Sequence, residues 1–251
     1  MKQRNNIEIH SFFCTRCGRI GIPIPRKKNG QRERFHKKKL YCIYCRQEIN
    51  HIECKNTMDE IEFKKLFAKG EYKMKKVLTV LIGCPGSGKS TYISNSSFAD
   101  KLDIVSRDKI RLALSNDDEY FSEEKEKEVY QKFINTIQNK LNDPLNNKII
   151  VADATHLNID SRHRLFENLK LSDVEINLVY FDVPFEKCKE LNKKRTGRSF
   201  TPEDELREMY KSLMKPDFSE HPNIKSCLFL KGIDDESGWK LIVEEEIFKG
   251  A

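Results

Sequence analysis

The chain has 251 residues, 38% of them hydrophobic and 34% charged, with a formal net charge of +7, a composition that excludes a disordered chain and suits a globular one. No run reaches the ~18 apolar residues of a membrane span, and Met1-Lys2-Gln3-Arg4-Asn5-Asn6 leads into no apolar stretch of signal-peptide length, so a cytoplasmic protein without a membrane partner is expected. Residues 1–75 hold 19 Lys and Arg against 8 Asp and Glu, whereas the remainder holds 27 against 31, so a basic head, either a solvated surface or a polyanion-binding one, precedes a mildly acidic body.

Residues 1–58 form a short, turn-rich block with Ile22-Pro23-Ile24-Pro25 and Lys27-Lys28-Asn29-Gly30 as breakers. Five of the eight cysteines fall within residues 14–54, and without a secretion signal such clustering favours a metal over disulfides. Cys14-Thr15-Arg16-Cys17 and Cys42-Ile43-Tyr44-Cys45 are two C-x-x-C knuckles with 24 residues between them. Together they supply four thiolates for a tetrahedral Zn²⁺, a zinc-ribbon-like arrangement. Four thiolates leave no open coordination position, so the zinc is structural and supplies folding energy that a block with few apolar residues lacks. Cys54, His36 and His51 are read as ordinary residues. The loop between the knuckles carries Arg26, Lys27, Lys28, Arg32, Arg34, Lys37, Lys38 and Lys39, with Phe35 and Tyr41 nearby, an interleaving that suits single-stranded nucleic acid. Residues 59–75 carry Ile61, Phe63, Leu66 and Phe67 at weak helical spacing and predict a helix linking the head to the next domain.

From residue 76 to 251 strands and helices alternate. Val77–Ile82 is a continuous apolar run, as expected of a strand buried on both faces. Further strands are predicted at Leu102–Val105, Ile149–Ala152, Ile176–Phe181 and Cys227–Leu230. Between them Ser122 caps a helix carrying Val129, Phe133, Ile137 and Leu141 that stops at Asp143-Pro144. Asp160 caps another, and Thr201-Pro202 opens a third. The alternation predicts an α/β fold with a parallel sheet covered by helices on both faces. Directly after the first strand, Gly83-Cys84-Pro85-Gly86-Ser87-Gly88-Lys89-Ser90 matches G-x-x-x-x-G-K-[ST], with Thr91 beginning a helix. This P-loop turns backbone amides and a helix N-terminus toward phosphates; Lys89 reaches the β- and γ-phosphates, and the Ser90 hydroxyl is a Mg²⁺ ligand.

Ligands bind at the C-terminal edge of such a sheet. There the second strand runs into Ser106-Arg107-Asp108-Lys109-Ile110-Arg111. Asp108 is the general-base candidate, and Arg111, three residues on, shares its helix face, although an acidic residue near a helix N-terminus is also ordinary. The third strand ends at Asp153-Ala154-Thr155, where Asp153 either assists the metal or orients Arg111. Leu191-Asn192-Lys193-Lys194-Arg195-Thr196-Gly197-Arg198 suits a lid over the nucleotide, with Arg195 on the transferring phosphoryl group.

These stretches, with Asp153-Ala154-Thr155-His156-Leu157-Asn158, Phe181-Asp182-Val183-Pro184 and Met209-Tyr210-Lys211-Ser212, resemble the polynucleotide 5′-hydroxyl kinase family, in particular the kinase half of the bacteriophage kinase/phosphatase, over about residues 76–215. The resemblance implies an ATP-dependent transfer to the 5′-hydroxyl of RNA or DNA. It implies Lys89 and Ser90 on ATP phosphates and Mg²⁺, Asp108 as base, Arg111 on the acceptor phosphate, Arg195 bridging the ATP phosphates, and Asp153 and Thr155 near the acceptor. His156 stands where the family pattern suggests Asn, and Leu191 where it suggests a basic residue. No Asp-x-Asp-Gly-Thr follows, so no phosphatase is implied. Two other readings stay open: a small-molecule or protein P-loop kinase, and a zinc-dependent nucleic-acid-binding ATPase adaptor.

Overall fold

The computed structural model describes residues 7–28, 32–97, 99–114, 122–143, 146, 148–236 and 238–250, apart from the side chain of Arg198. The Asn29-Gly30 turn and Pro144 lie outside these residues. The chain divides into two compact units, Met1–Lys75 and Lys76–Ala251. Among the described residues no helix is long and apolar enough to cross a membrane.

In the first unit β1 (Ile7–Cys14), β2 (Ile24–Lys27), β3 (Lys37–Cys42) and β4 (Gln47–Cys54) form an antiparallel sheet in the order β2-β1-β4-β3. Helix α1 (Thr57–Ala68) starts where the Asn56 side chain accepts from the Asp59 amide. Its Phe63 is fully buried with Phe13, Ile52 and Cys54, and its ring lies 5.1 Å from Phe13 and 5.5 Å from Phe67. Residues 59–75 fall within the first unit, and their helix brings Phe63 and Phe67 to an apolar cluster on the sheet. Beside this core a buried carboxylate, Glu53, accepts from His10 Nδ1 at 2.6 Å and Arg26 Nε at 2.9 Å. Burial opposes its charge, but these two donors outweigh burial and hold its carboxyl below the usual carboxylate range.

The second unit carries β5 (Lys76–Ile82), α2 (Lys89–Asn95), β6 (Leu102–Ser106), α3 (Arg107–Ala113), α4 (Glu123–Asn142), β7 (Ile149–Asp153), α5 (Ile159–Glu167), β8 (Val174–Asp182), α6 (Phe185–Lys193), α7 (Glu203–Lys211), β9 (Ile224–Asp235) and β10 (Gly238–Phe248). Its sheet has the order β10-β9-β8-β5-β7-β6. The five predicted strands are its parallel part, and β10 adds an antiparallel edge that the sequence reading missed. Alternate strand residues serve two cores. Leu78, Val80 and Ile82 of β5 with Ile176, Leu178 and Tyr180 of β8 pack with Phe133 and Ile137 of α4 and Leu165 of α5. Leu81, Val179 and Phe181 pack on the other side with Ile93 of α2, Cys188 of α6 and Leu206 of α7. Helices therefore cover both faces.

Ser122 caps α4 as expected, accepting from the Lys125 amide. Asp160 does not cap α5: Asn158 does, in a capping box with Ser161, because its side-chain oxygen reaches the Ser161 amide. Thr201 does not cap α7 either: Pro202 holds the N-cap position, one residue later, and has no side-chain acceptor.

One buried ion pair braces the site edge. Arg162 of α5 is fully buried and grips Glu220 at 2.7 Å through two nitrogens. Its third nitrogen donates to the carbonyls of His156, Leu157 and Met214. Glu220→Ala strands this guanidinium and should lower stability by about 3–5 kcal/mol in urea unfolding. An Arg162→Met/Glu220→Leu pair should recover most of the loss.

Candidate active site

The phosphate loop is fixed from both sides of the sheet edge. The Gly83 amide donates to the Thr155 carbonyl at 3.0 Å, tying the exit of β5 to the exit of β7. Gly86 has φ +79°, and a Cβ there would come 2.3 Å from the Cys188 carbonyl oxygen of α6, so only glycine allows this approach. Lys89, the first residue of α2, is buried. Its Nζ donates to the carbonyls of Gly83 at 2.6 Å and Cys84 at 2.8 Å, and to Ser87 Oγ at 3.4 Å. Burial pushes its pKa down to about 8, against the pull of Asp153 and with the repulsion of Arg195.

Pro85, Lys89 and Ser90 line a cleft of about 930 Å³ with Asp108, Arg111, Asp153, Thr155 and Arg195. The structure thus brings together residues from four separate stretches of sequence. Asp108 is exposed on α3, and its Oδ1 accepts from Arg111 Nη1 at 2.7 Å. Arg111 also holds Glu126 of α4 at 2.5 Å, and Arg107 donates to the same carboxylate at 2.8 Å. Glu126 escaped the sequence reading: it sits in an acidic first turn, fifteen or more residues from its partners, and only the fold pairs them. Asp153 ends β7. Burial raises its pKa, partly offset by Lys89 and by a hydrogen bond with Ser106. Arg195 donates to the Ser199 carbonyl at 3.3 Å. The base of its loop is closed by Asn192, which donates to the Thr201 carbonyl and accepts from the Thr201 amide.

Of the predicted phosphate-binding residues 83–91, the side chains that line this cleft are those of Pro85, Lys89 and Ser90. Thr91 is exposed on α2 outside the cleft. The Cys84 side chain faces the core, where burial pushes its thiol up to about 11, so this residue offers backbone only. His156, the departure from the family pattern, is buried at φ +43° with Nδ1–H donating to the Leu81 carbonyl at 3.0 Å. Burial lowers its pKa to about 4, which keeps the ring neutral. It supports the sheet edge instead of facing the cleft.

In the first unit the Sγ atoms of Cys14, Cys17, Cys42 and Cys45 all lie within 4.8 Å of one another. Cys14–Cys45 is 3.9 Å and Cys17–Cys42 is 3.8 Å. A tetrahedron of sulfurs at the Zn–S distance of about 2.3 Å has edges of about 3.8 Å, so two of the edges match it and the donor set suits zinc. Gly18, at φ +69°, lets this knuckle approach the Phe67 ring of α1. Cys54 lies in the apolar core, His36 is exposed and His51 Nδ1 bonds the Ile49 carbonyl. None of the three belongs to the cluster.

A parallel sheet covered on both faces, with a glycine-rich phosphate loop at its C-terminal edge, defines a P-loop protein of the kinase fold. Within that class the chain belongs to the AAA domain family, whose model matches residues 78–216. Among solved structures it is similar to a chain of the Pnkp1/Rnl/Hen1 RNA repair complex, with 26% identity and a TM-score of 0.48, covering 58% of this chain and 46% of that one. It therefore spans less than half of that relative. A sugar kinase from Janibacter sp. HTCC2649 shares 19% identity, with a TM-score of 0.44 and coverage of 63% of this chain and 86% of that one. The AvrRxo1-ORF1:AvrRxo1-ORF2 complex shares 15%, with a TM-score of 0.52 and coverage of 74% and 61%, a likeness of fold.

Lys89 carries a stability signature. Its folded pKa of about 8 lies below the value of 10.5 that it has when unperturbed. The charged form is therefore penalised on folding, fully below about pH 8 and not at all above about 10.5, by roughly 3 kcal/mol. Lys89→Met should raise the melting temperature of the nucleotide-free protein at pH 7, and the gain should shrink as pH rises toward 10.5.

Proposed function

We propose that this protein is an ATP-dependent kinase that phosphorylates the 5′-hydroxyl end of a polynucleotide. One observation carries the reading. The buried Lys89 ammonium and the Asp108–Arg111 pair line a single cleft. Lys89 and the loop amides bind the β- and γ-phosphates of ATP. The Ser90 hydroxyl would hold Mg²⁺, which when bound would supply charge neutralisation at the phosphate oxygens. Arg111 orients Asp108 through Oδ1, so the other carboxylate oxygen accepts the proton of the acceptor hydroxyl. The hydroxyl oxygen forms its bond to the γ-phosphorus, the bond to the bridging oxygen breaks, and ADP leaves. Arg195 and Lys89 balance the charge on the transferring group. Arg111 also meets the acceptor's adjacent phosphate, with Asp153 and Thr155 beside it.

The four cysteines hold one structural zinc in this reading, and the exposed Lys37, Lys39 and Tyr41 of β3 suit phosphate and base contact with the same polymer.

Incubation with γ-labelled ATP should label the 5′ end of a hydroxyl-terminated RNA or DNA strand. Label that appears only on small alcohols or peptides overturns the assignment. Lys89→Ala should abolish transfer. Asp108→Ala should lower kcat by about 10²–10⁴ while ATP affinity stays within a few-fold. Elemental analysis should find one zinc per chain, lost in a Cys14→Ser/Cys45→Ser variant.

A further inference from the structure

The cleft does not end at the sheet edge. A second cavity of about 430 Å³ shares Arg107, Glu126, Ala154 and Thr155 with the first and continues past Lys127, Tyr130, Gln131 and Arg164. Ile93 of α2 lines only the first, and Phe133 of α4 only the second. The phosphate-loop helix α2 packs through Ile93 on one face, whereas Phe133 of α4 and Leu165 of α5 pack on the other. Phosphoryl transfer needs the attacking and leaving oxygens roughly in line, so an acceptor reaches the γ-phosphate from the side away from ADP. The second cavity adjoins the first at Ala154 and Thr155, beside Arg107 and Glu126.

Its chemistry suits an anion. Arg107, Lys127 and Arg164 line it against a single carboxylate, Glu126, and that carboxylate already serves Arg107 and Arg111. Among the described residues neither Lys127 nor Arg164 has a carboxylate within ion-pair distance, and Arg107 Nε is buried without a hydrogen-bond partner. The floor is preset: the Tyr130 hydroxyl donates to the Arg164 carbonyl at 3.1 Å, joining α4 to α5, and the Arg107 guanidinium lies 5.7 Å from the Tyr130 ring centroid.

We propose that this cavity binds the second phosphodiester of the acceptor strand, with Lys127 and Arg164 as its cations and Arg107 at the threshold. The proposal rests on the 5′-kinase reading and narrows its substrate: a nucleoside 3′-monophosphate fills only the first cleft, whereas an oligonucleotide fills both.

The test compares a nucleoside 3′-monophosphate with a 5′-hydroxyl tetranucleotide in the full-length wild type and in Lys127→Ala/Arg164→Ala. In the wild type kcat/KM should be at least about tenfold higher for the tetranucleotide, and the double variant should erase most of that ratio. The slope of log affinity for the tetranucleotide against log salt should fall by about 1.4, two single-strand contacts at about 0.7 each. Circular dichroism and melting check that the variant folds. A ratio and a slope that survive both substitutions overturn the proposal. If the wild type labels no 5′-hydroxyl acceptor, the kinase reading fails separately. Fluorescence anisotropy with the tetranucleotide then decides the cavity: a loss of affinity in the variant sustains it, and equal affinity removes it.

Discussion

A buried ammonium organises the second unit. Lys89 is held by the carbonyls of its own loop, and no carboxylate lies among its hydrogen-bond partners. Its charge is compensated from a distance by Asp153 and opposed by Arg195. Such a group destabilises the resting fold. It is tolerated because the loop around it is clamped, at Gly83 by the Thr155 carbonyl and at Gly86 by the backbone of α6. A polyphosphate would bring the compensating charge, so affinity for that ligand and strain in its absence are two sides of one arrangement.

The α3 side of the cleft is built on a different principle. Its two arginines are already paired: Arg111 bridges Asp108 and Glu126, and Arg107 shares Glu126. The carboxylate of α4 fixes the two arginines of α3 in place, which lowers the ordering cost of gripping an anion. The Arg162–Glu220 pair does similar service one layer deeper, where it pins the carbonyls of the loop that carries Thr155.

Much of this was legible in the sequence, and the gaps have physical reasons. The phosphate loop, Asp108 with Arg111, and the four cysteines are local patterns whose chemistry demands fixed spacing. The strands buried on both faces announced themselves as apolar runs. Glu126 did not, because a carboxylate in a helix's first turn is ordinary until the fold sets two arginines beside it. Strand β10 was missed because Glu244, Glu245 and Glu246 break any alternation and most of the strand is exposed; its register comes from pairing with β9 and from Trp239, which lies where a side chain on Gly232 would be. The aromatic spacing of α1 says that it docks but not on what.

The double hydrogen bond between Asn192 and Thr201 sets the reach of the arm that carries Arg195. With α6 wedged against Gly86 at one end and Thr201 latched at the other, only the arc from 193 to 200 has room to swing. Any displacement of Arg195 is then the flexing of a short strap tethered at both ends, a motion that engineering of one amide could slow or free.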